Sequence, residues 1–187
     1  MLRFSGLLVL VALFFPVGVF GQEAGAEKPA AETQEIVLAD GAVLMKVPGH
    51  WKKAQPKSNI IEAEFAIEKS EGEEANGRVT LSQSAGSIQQ NIDRWYGQFE
   101  LDGEPGETVV KEVNKVKVHI VDLKGTYLDT MGNPGGPATK RDKYRMLAAI
   151  IEMPEGKYFV KCYGPATMME KNLEAFQKLI DSVRVVQ

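Results

Sequence analysis

His50, His119 and Cys162 are the side chains best suited to nucleophilic or metal chemistry, and their spacing argues against both. Each lies far from the others, and the two histidines are the only ones present. A zinc site gathers several His, Cys or carboxylate ligands, often at short spacing, and no such pattern occurs. His119 sits in Lys117-Val118-His119-Ile120, in phase with Lys117 and Val121, which suits a strand surface or sheet edge. His50 stands in a turn that positions Trp51. Cys162 shares a strand face with Tyr158 and Val160, where apolar surroundings raise a thiol pKa and make it inert. No Gly-x-Ser-x-Gly, phosphate loop, dinucleotide fingerprint or Cys-x-x-Cys is present. These residues call for no catalytic group, no metal and no cofactor. The enzymatic alternative is a hydrolase or metal-dependent site built from His119, Asp122 and nearby carboxylates, brought together only by folding.

Binding chemistry is better represented. Asp129 to Asp142 reads as a long loop carrying Gly132, Pro134, Gly135, Gly136 and Pro137. Long loops inside small domains are usually functional or disordered. This one runs into Lys140, Arg141, Lys143 and Arg145, a cationic patch suited to an acidic partner or an anionic ligand. Trp51, with Trp95 and Tyr96, could line a groove beside it, although aromatics at helical spacing more often belong to a core. The candidate binding residues are therefore Lys140, Arg141, Lys143 and Trp51. Asp102, Glu104 and Glu107 cluster in a Gly/Pro loop and could hold calcium weakly, but they match no standard calcium loop.

These side chains must be positioned by short strands and two helices. Ile36 to Leu38 and Ala42 to Val47 read as strands joined at Asp40-Gly41. Ile60 to Lys69 alternates, with Ile61, Ala63, Phe65 and Ile67 inward and Glu62, Glu64 and Glu68 outward. Arg78 to Gln83 alternates again, and Arg78 can pair with Glu62 or Glu64. Ser87 and Gln90 have capping-box spacing, and Ile88, Ile92, Trp95, Tyr96 and Phe99 form a helical stripe. Thr108 to Val113 and Val116 to Leu123 make a hairpin around Asn114-Lys115, with the second strand able to reach Leu128. Arg145 to Met153 is apolar on both faces, so both must be covered. It turns at Pro154-Glu155-Gly156 into Lys157 to Tyr163. Thr167 and Glu170 match a second capping box, followed by a stripe of Met169, Leu173, Phe176, Leu179, Ile180 and Val183. Hairpins dominate, and two amphipathic helices are available as cover. The fold class is α+β: a largely antiparallel sheet sandwiched between helices.

The first residues set the compartment. Met1-Leu2-Arg3 is cationic, Leu7 to Phe20 is apolar, and Val19-Phe20-Gly21 offers small or modest residues before Gln22. That is the layout of a secretory signal peptide over 1–21. The run is shorter than the ~20 apolar residues of a membrane span and contains Pro16. Cleavage before Gln22 or before Glu27 leaves no stable membrane insertion. Residues 22–34, rich in Ala, Glu and Gln, read as a flexible tether, and 35–187 as one globular domain. Without the leader's Arg3, 21 Lys+Arg face 25 Asp+Glu, a formal charge of −4. That balance argues against nucleic acid as a partner. The single cysteine allows no internal disulfide, so stability must come from the core.

Three phrases carry a family resemblance: Val47-Pro48-Gly49-His50-Trp51, Asn91-Ile92-Asp93-Arg94-Trp95-Tyr96-Gly97-Gln98-Phe99, and Tyr158-Phe159-Val160-Lys161-Cys162-Tyr163-Gly164-Pro165. Over most of Glu35 to Val186 the chain resembles the PsbP/Mog1 superfamily, which holds the P subunits of the photosystem II oxygen-evolving complex, the Ran-binding protein Mog1 and small exported bacterial proteins. The resemblance implies an antiparallel sheet between helices and roles in binding or assembly, with no active site to transfer. The combined expectation is an extracytoplasmic (periplasmic or secreted) domain, soluble after cleavage. It would act as a non-enzymatic binding or assembly module for a protein or small ligand of the cell envelope.

Overall fold

The computed structural model describes residues 32–104, 108–130 and 136–186. The chain opens with strand β1 (Thr33–Leu38), a tight turn at Ala39–Gly41, β2 (Val43–Pro48), β3 (Lys52–Ala54), β4 (Ala63–Ile67) and β5 (Gly77–Ser84). Helix α1 (Ile88–Tyr96) follows, then β6 (Phe99–Leu101), β7 (Val109–Val113), β8 (Val116–Asp129), β9 (Thr139–Glu152) and β10 (Lys157–Pro165). The chain continues through α2 (Ala166–Lys171), α3 (Leu173–Asp181) and β11 (Arg184–Val185).

Among the described residues every strand pairing is antiparallel. The larger sheet has eight strands in the order β3-β4-β5-β10-β9-β8-β6, with β7 also paired to β8. β9 lies inside this sheet, and Met146 to Ile151 are at most 1% exposed, as a strand with two apolar faces requires. Its odd-numbered Leu147, Ala149 and Ile151 join one core with Val79, Leu81, Val160 and Cys162. Its even-numbered Met146, Ala148 and Ile150 join a second core with Val121, Leu123 and Phe159. The first core is covered by Phe176, Leu179 and Ile180 of α3 and by Val43, Met45 and Val47 of β2. The second is covered by Ile92 and Trp95 of α1.

Local signals account for several elements. Ser87 Oγ accepts from the Gln90 N–H while Gln90 Oε1 accepts from the Ser87 N–H, a complete capping box. Asn114 and Lys115 both take the left-handed conformation, φ 48° and 68°, as a two-residue hairpin turn with the twist of its strands requires.

Other expectations are corrected. The fold has more strand than helix, and one face of the sheet is covered jointly by α2, α3 and a three-stranded sheet ordered β1-β2-β11. Helices are therefore only part of the cover. β1 begins at Thr33, two residues inside the stretch read as tether; the leader and residues 22–31 of that tether lie outside the described residues. Phe99, expected on the helical stripe, instead opens β6, because α1 closes at Gly97, whose N–H bonds the Asp93 carbonyl. Thr167 caps nothing: the last helical region starts at Ala166 with no side-chain cap and divides at Asn172. Glu170, expected as the partner of that cap, accepts from Arg145.

The segment 129–142, expected as one long loop, is largely a hairpin. Asp129 pairs with Thr139, Leu128 with Lys140 and Tyr127 with Arg141. Residues 131–135 lie outside the described residues. Gly/Pro composition hid the pairing, because a sheet ladder is a long-range feature that turn residues do not reveal.

Candidate functional site

Beyond the C-terminal end of α1, the second face of the large sheet changes from apolar to polar and aromatic. Strand alternation places Arg78 of β5, Tyr163 and Lys161 of β10, Tyr144 of β9 and Tyr127 of β8 on this face, opposite Val79, Leu81 and Cys162. Glu64 of β4 joins them. It is 3% exposed, although its alternation suggested an outward position. Arg78 Nε and Nη2 donate to its two oxygens at 2.8 and 2.9 Å, and Arg78 Nη1 donates to Tyr163 Oη at 2.8 Å. Burial opposes ionisation of Glu64. The Arg78 bonds and charge, with the Lys57 N–H, outweigh it and hold the carboxyl below its ordinary value. Tyr127 stacks on Tyr144 with centroids 6.1 Å apart and meets Tyr163 at 5.2 Å. Burial raises the pKa of all three phenols, so they stay protonated.

Lys161 is the least compensated member. Its Nζ donates to Gln98 Oε1 at 2.9 Å and lies 5.3 Å from the Tyr163 ring centre. Among the described residues no carboxylate pairs with it. Burial first, then the charges of Arg94 and Arg78, push its pKa down to about 7.

The cations singled out in the sequence lie at the adjoining hairpin end. Lys140 and Arg141 belong to β9 rather than a loop. Lys140 Nζ bonds Glu100 at 2.6 and 2.8 Å, and Arg141 Nη2 reaches Asp129 Oδ2 at 3.4 Å. Asp142 and Lys143 together oppose the single Thr126, forming a bulge. Lys143 is exposed, adopts φ 55°, and has no ion-pair partner among the described residues.

Trp51 lines no groove. It is 1% exposed, and its Nε1 donates to Asn172 Oδ1 at 2.9 Å. His50 Nε2 lies 3.0 Å from the same oxygen, so the turn fixes the tryptophan against the helix break. Cys162 is fully buried, its thiol pushed up to about 12 by burial. His119 bonds Glu152 on the side of Val121 and Leu123, whereas Asp122 bonds Arg145 three positions along the strand, on the opposite side. The proposed His119–Asp122 site is therefore not assembled. Among the described residues no three His, Cys, Asp or Glu side chains gather as a metal site. Glu107 of the acidic turn lies outside the described residues.

No family model and no curated protein matches this sequence. Solved structures do. The cyanobacterial PsbP (CyanoP) of Synechocystis sp. PCC 6803 superposes with a TM-score of 0.54 at 12% identity, covering 90% of this chain and 100% of that one. The chain has the PsbP-like fold. The Ran-binding protein Mog1p of Saccharomyces cerevisiae is similar at a TM-score of 0.47 and 12% identity, over 84% of this chain and 97% of its own. PA94 of Pseudomonas aeruginosa, a protein of unknown function, gives 0.47 and 12%, over 83% and 98%.

Within this PsbP-like fold, no helix among the described residues is long and apolar enough to cross a membrane. Sequence reasoning missed Glu64, Arg78, Lys161 and the three tyrosines as a group. The available signal was Lys161 itself, a cation in mid-strand in phase with Phe159 and Tyr163, on a strand whose other face is apolar.

Proposed function

We propose that this chain is an exported, non-enzymatic binding or assembly module, and that its contact surface is the free end of the β8–β9 hairpin. One observation carries the reading: Lys143 is exposed in a left-handed conformation at a bulge. A left-handed non-glycine residue costs about 1–2 kcal/mol, and such strain tends to collect at functional positions. The bulge leaves Lys143 exposed two residues along the chain from Arg141, on a protein of net negative charge. Lys140 and Arg141 are held by Glu100 and Asp129, which leaves Lys143 as the cation open to an acidic partner. Binding and assembly are also the roles that the family resemblance implies.

The test is affinity capture from the cell's own envelope fraction, using the tagged chain expressed with its leader. Replacing Lys140, Arg141 and Lys143 by Glu is expected to abolish capture of a reproducible partner, with thermal stability changed by less than about 1 kcal/mol. Lys143→Glu alone is expected to remove most of it. Undiminished capture by the triple variant overturns the hairpin as the surface.

A further inference from the structure

Lys161 and Arg94 make an arrangement the hairpin reading does not use. Arg94 stands exposed in the last turn of α1, and Lys161 reaches toward that helix end to bond Gln98. Among the described residues neither has an ion-pair partner. Arg78, the third cation in range, is already occupied by Glu64 and Tyr163. A half-buried ammonium with one amide acceptor and two guanidiniums nearby is an unbalanced arrangement. The partial negative charge at the end of α1 offsets only part of it. The rest of the wall is Tyr163, Tyr127 and Tyr144: aromatic faces whose hydroxyls remain protonated, those of Tyr127 and Tyr163 bonded to each other.

We propose that this end of the sheet face is a binding site for a small oxyanion, a carboxylate or a phosphate, held at Lys161 between the α1 terminus and the tyrosines. The anion supplies the charge that Lys161 and Arg94 lack and accepts the ammonium protons that Gln98 does not take. The stacked tyrosines favour an anion with a flat apolar body.

Binding is then linked to protonation. Above pH ~7 the free protein holds Lys161 largely neutral, and an anion must bring the proton back as it binds. The other ionisable groups facing this site are Arg94 and Tyr96 on α1, Arg78 on β5 with Glu64 on β4, Tyr163 on β10, Tyr127 and Asp129 on β8, and Tyr144 and Arg141 on β9. Burial keeps the three phenols protonated and Arg78 keeps Glu64 ionised across pH 6 to 8.5, so among these groups the linkage reports Lys161.

The test is calorimetric titration of the purified full chain with benzoate, which stays ionised throughout, and separately with inorganic phosphate. At least one should bind at pH 6, and which one tells carboxylate from phosphate. For benzoate, affinity should fall about 30-fold by pH 8.5, with proton uptake visible as a dependence on buffer ionisation enthalpy. Lys161→Met, which keeps the apolar stem, should abolish binding, and Arg94→Gln should weaken it several-fold. Should Lys161→Met fail to fold, Arg94→Gln and the wild-type pH profile decide. The hairpin variants at Lys140, Arg141 and Lys143 should bind the anion as the wild type does, so this site and the hairpin surface stand or fall separately. Absence of binding at pH 6, binding without proton uptake, or binding unchanged in the decisive variant overturns the proposal.

Discussion

Glu64 and Arg78 meet through both carboxylate oxygens, at 2.8 and 2.9 Å, with the glutamate buried and the arginine half-buried. The pair lies across two neighbouring strands, where register sets Ala66 against Arg78 and Glu64 against Thr80. Its fixed position in turn orients Tyr163, to which Arg78 also donates.

Glu64→Gln keeps the shape and removes the charge. It leaves Arg78 partly uncompensated and is expected to cost about 1–3 kcal/mol at neutral pH. The folded pKa of Glu64 lies below its unfolded value of about 4.3, so its contribution is complete above that value and is lost as pH falls through the lower folded value. Urea midpoints of wild type and variant should therefore converge from pH 7 toward pH 3. A constant gap would contradict the ion pair as the source.

Cys162 is expected to ignore thiol reagents in the native protein at pH 8, since burial holds it protonated and no solvent reaches it. Full labelling should appear only in denaturant, with a rate that follows global unfolding. Stoichiometric labelling of the folded chain within minutes would show that β10 opens locally.

Gly125 has φ +151°, and a side chain there would strike the Glu100 carbonyl and approach Leu101 Cα to 2.9 Å. Both obstacles are backbone of β6, which cannot swing aside as a side chain can. Gly125→Ala is expected to lose at least about 3 kcal/mol in denaturant unfolding and to raise amide exchange across Phe99 to Leu101. A loss under about 1 kcal/mol would mean that β6 is displaced at little cost.

Features written in neighbouring residues were legible in the sequence. The Ser87/Gln90 capping box and the Asn114-Lys115 turn needed only a few positions, and the doubly apolar run from Met146 to Ile151 announced a covered strand. Ambiguity entered where one spacing served two structures. Phe99 continues the helical stripe but equally begins a strand, and Gly97 decided between them. Thr167 and Glu170 had the spacing of a cap, yet Arg145 offered Glu170 a charged partner. The cluster of Arg78, Lys161, Tyr163, Tyr144 and Tyr127 was illegible for a different reason. It depends on β5, β10, β9 and β8 lying side by side, an order that does not follow the chain.

The pairing of β11 with β2 sets Arg184 against Leu44 and Val185 against Val43. Contacts of such long sequence separation carry a large loop-closure cost and form late. One edge of β2 therefore stays open until almost all of the described domain has left the ribosome. During that interval Val43, Met45 and Val47 alternate along a bare strand edge, a template for pairing with another chain. The last two-residue strand thus acts as a closing latch, and the domain's vulnerability to aggregation is concentrated in the time before it engages.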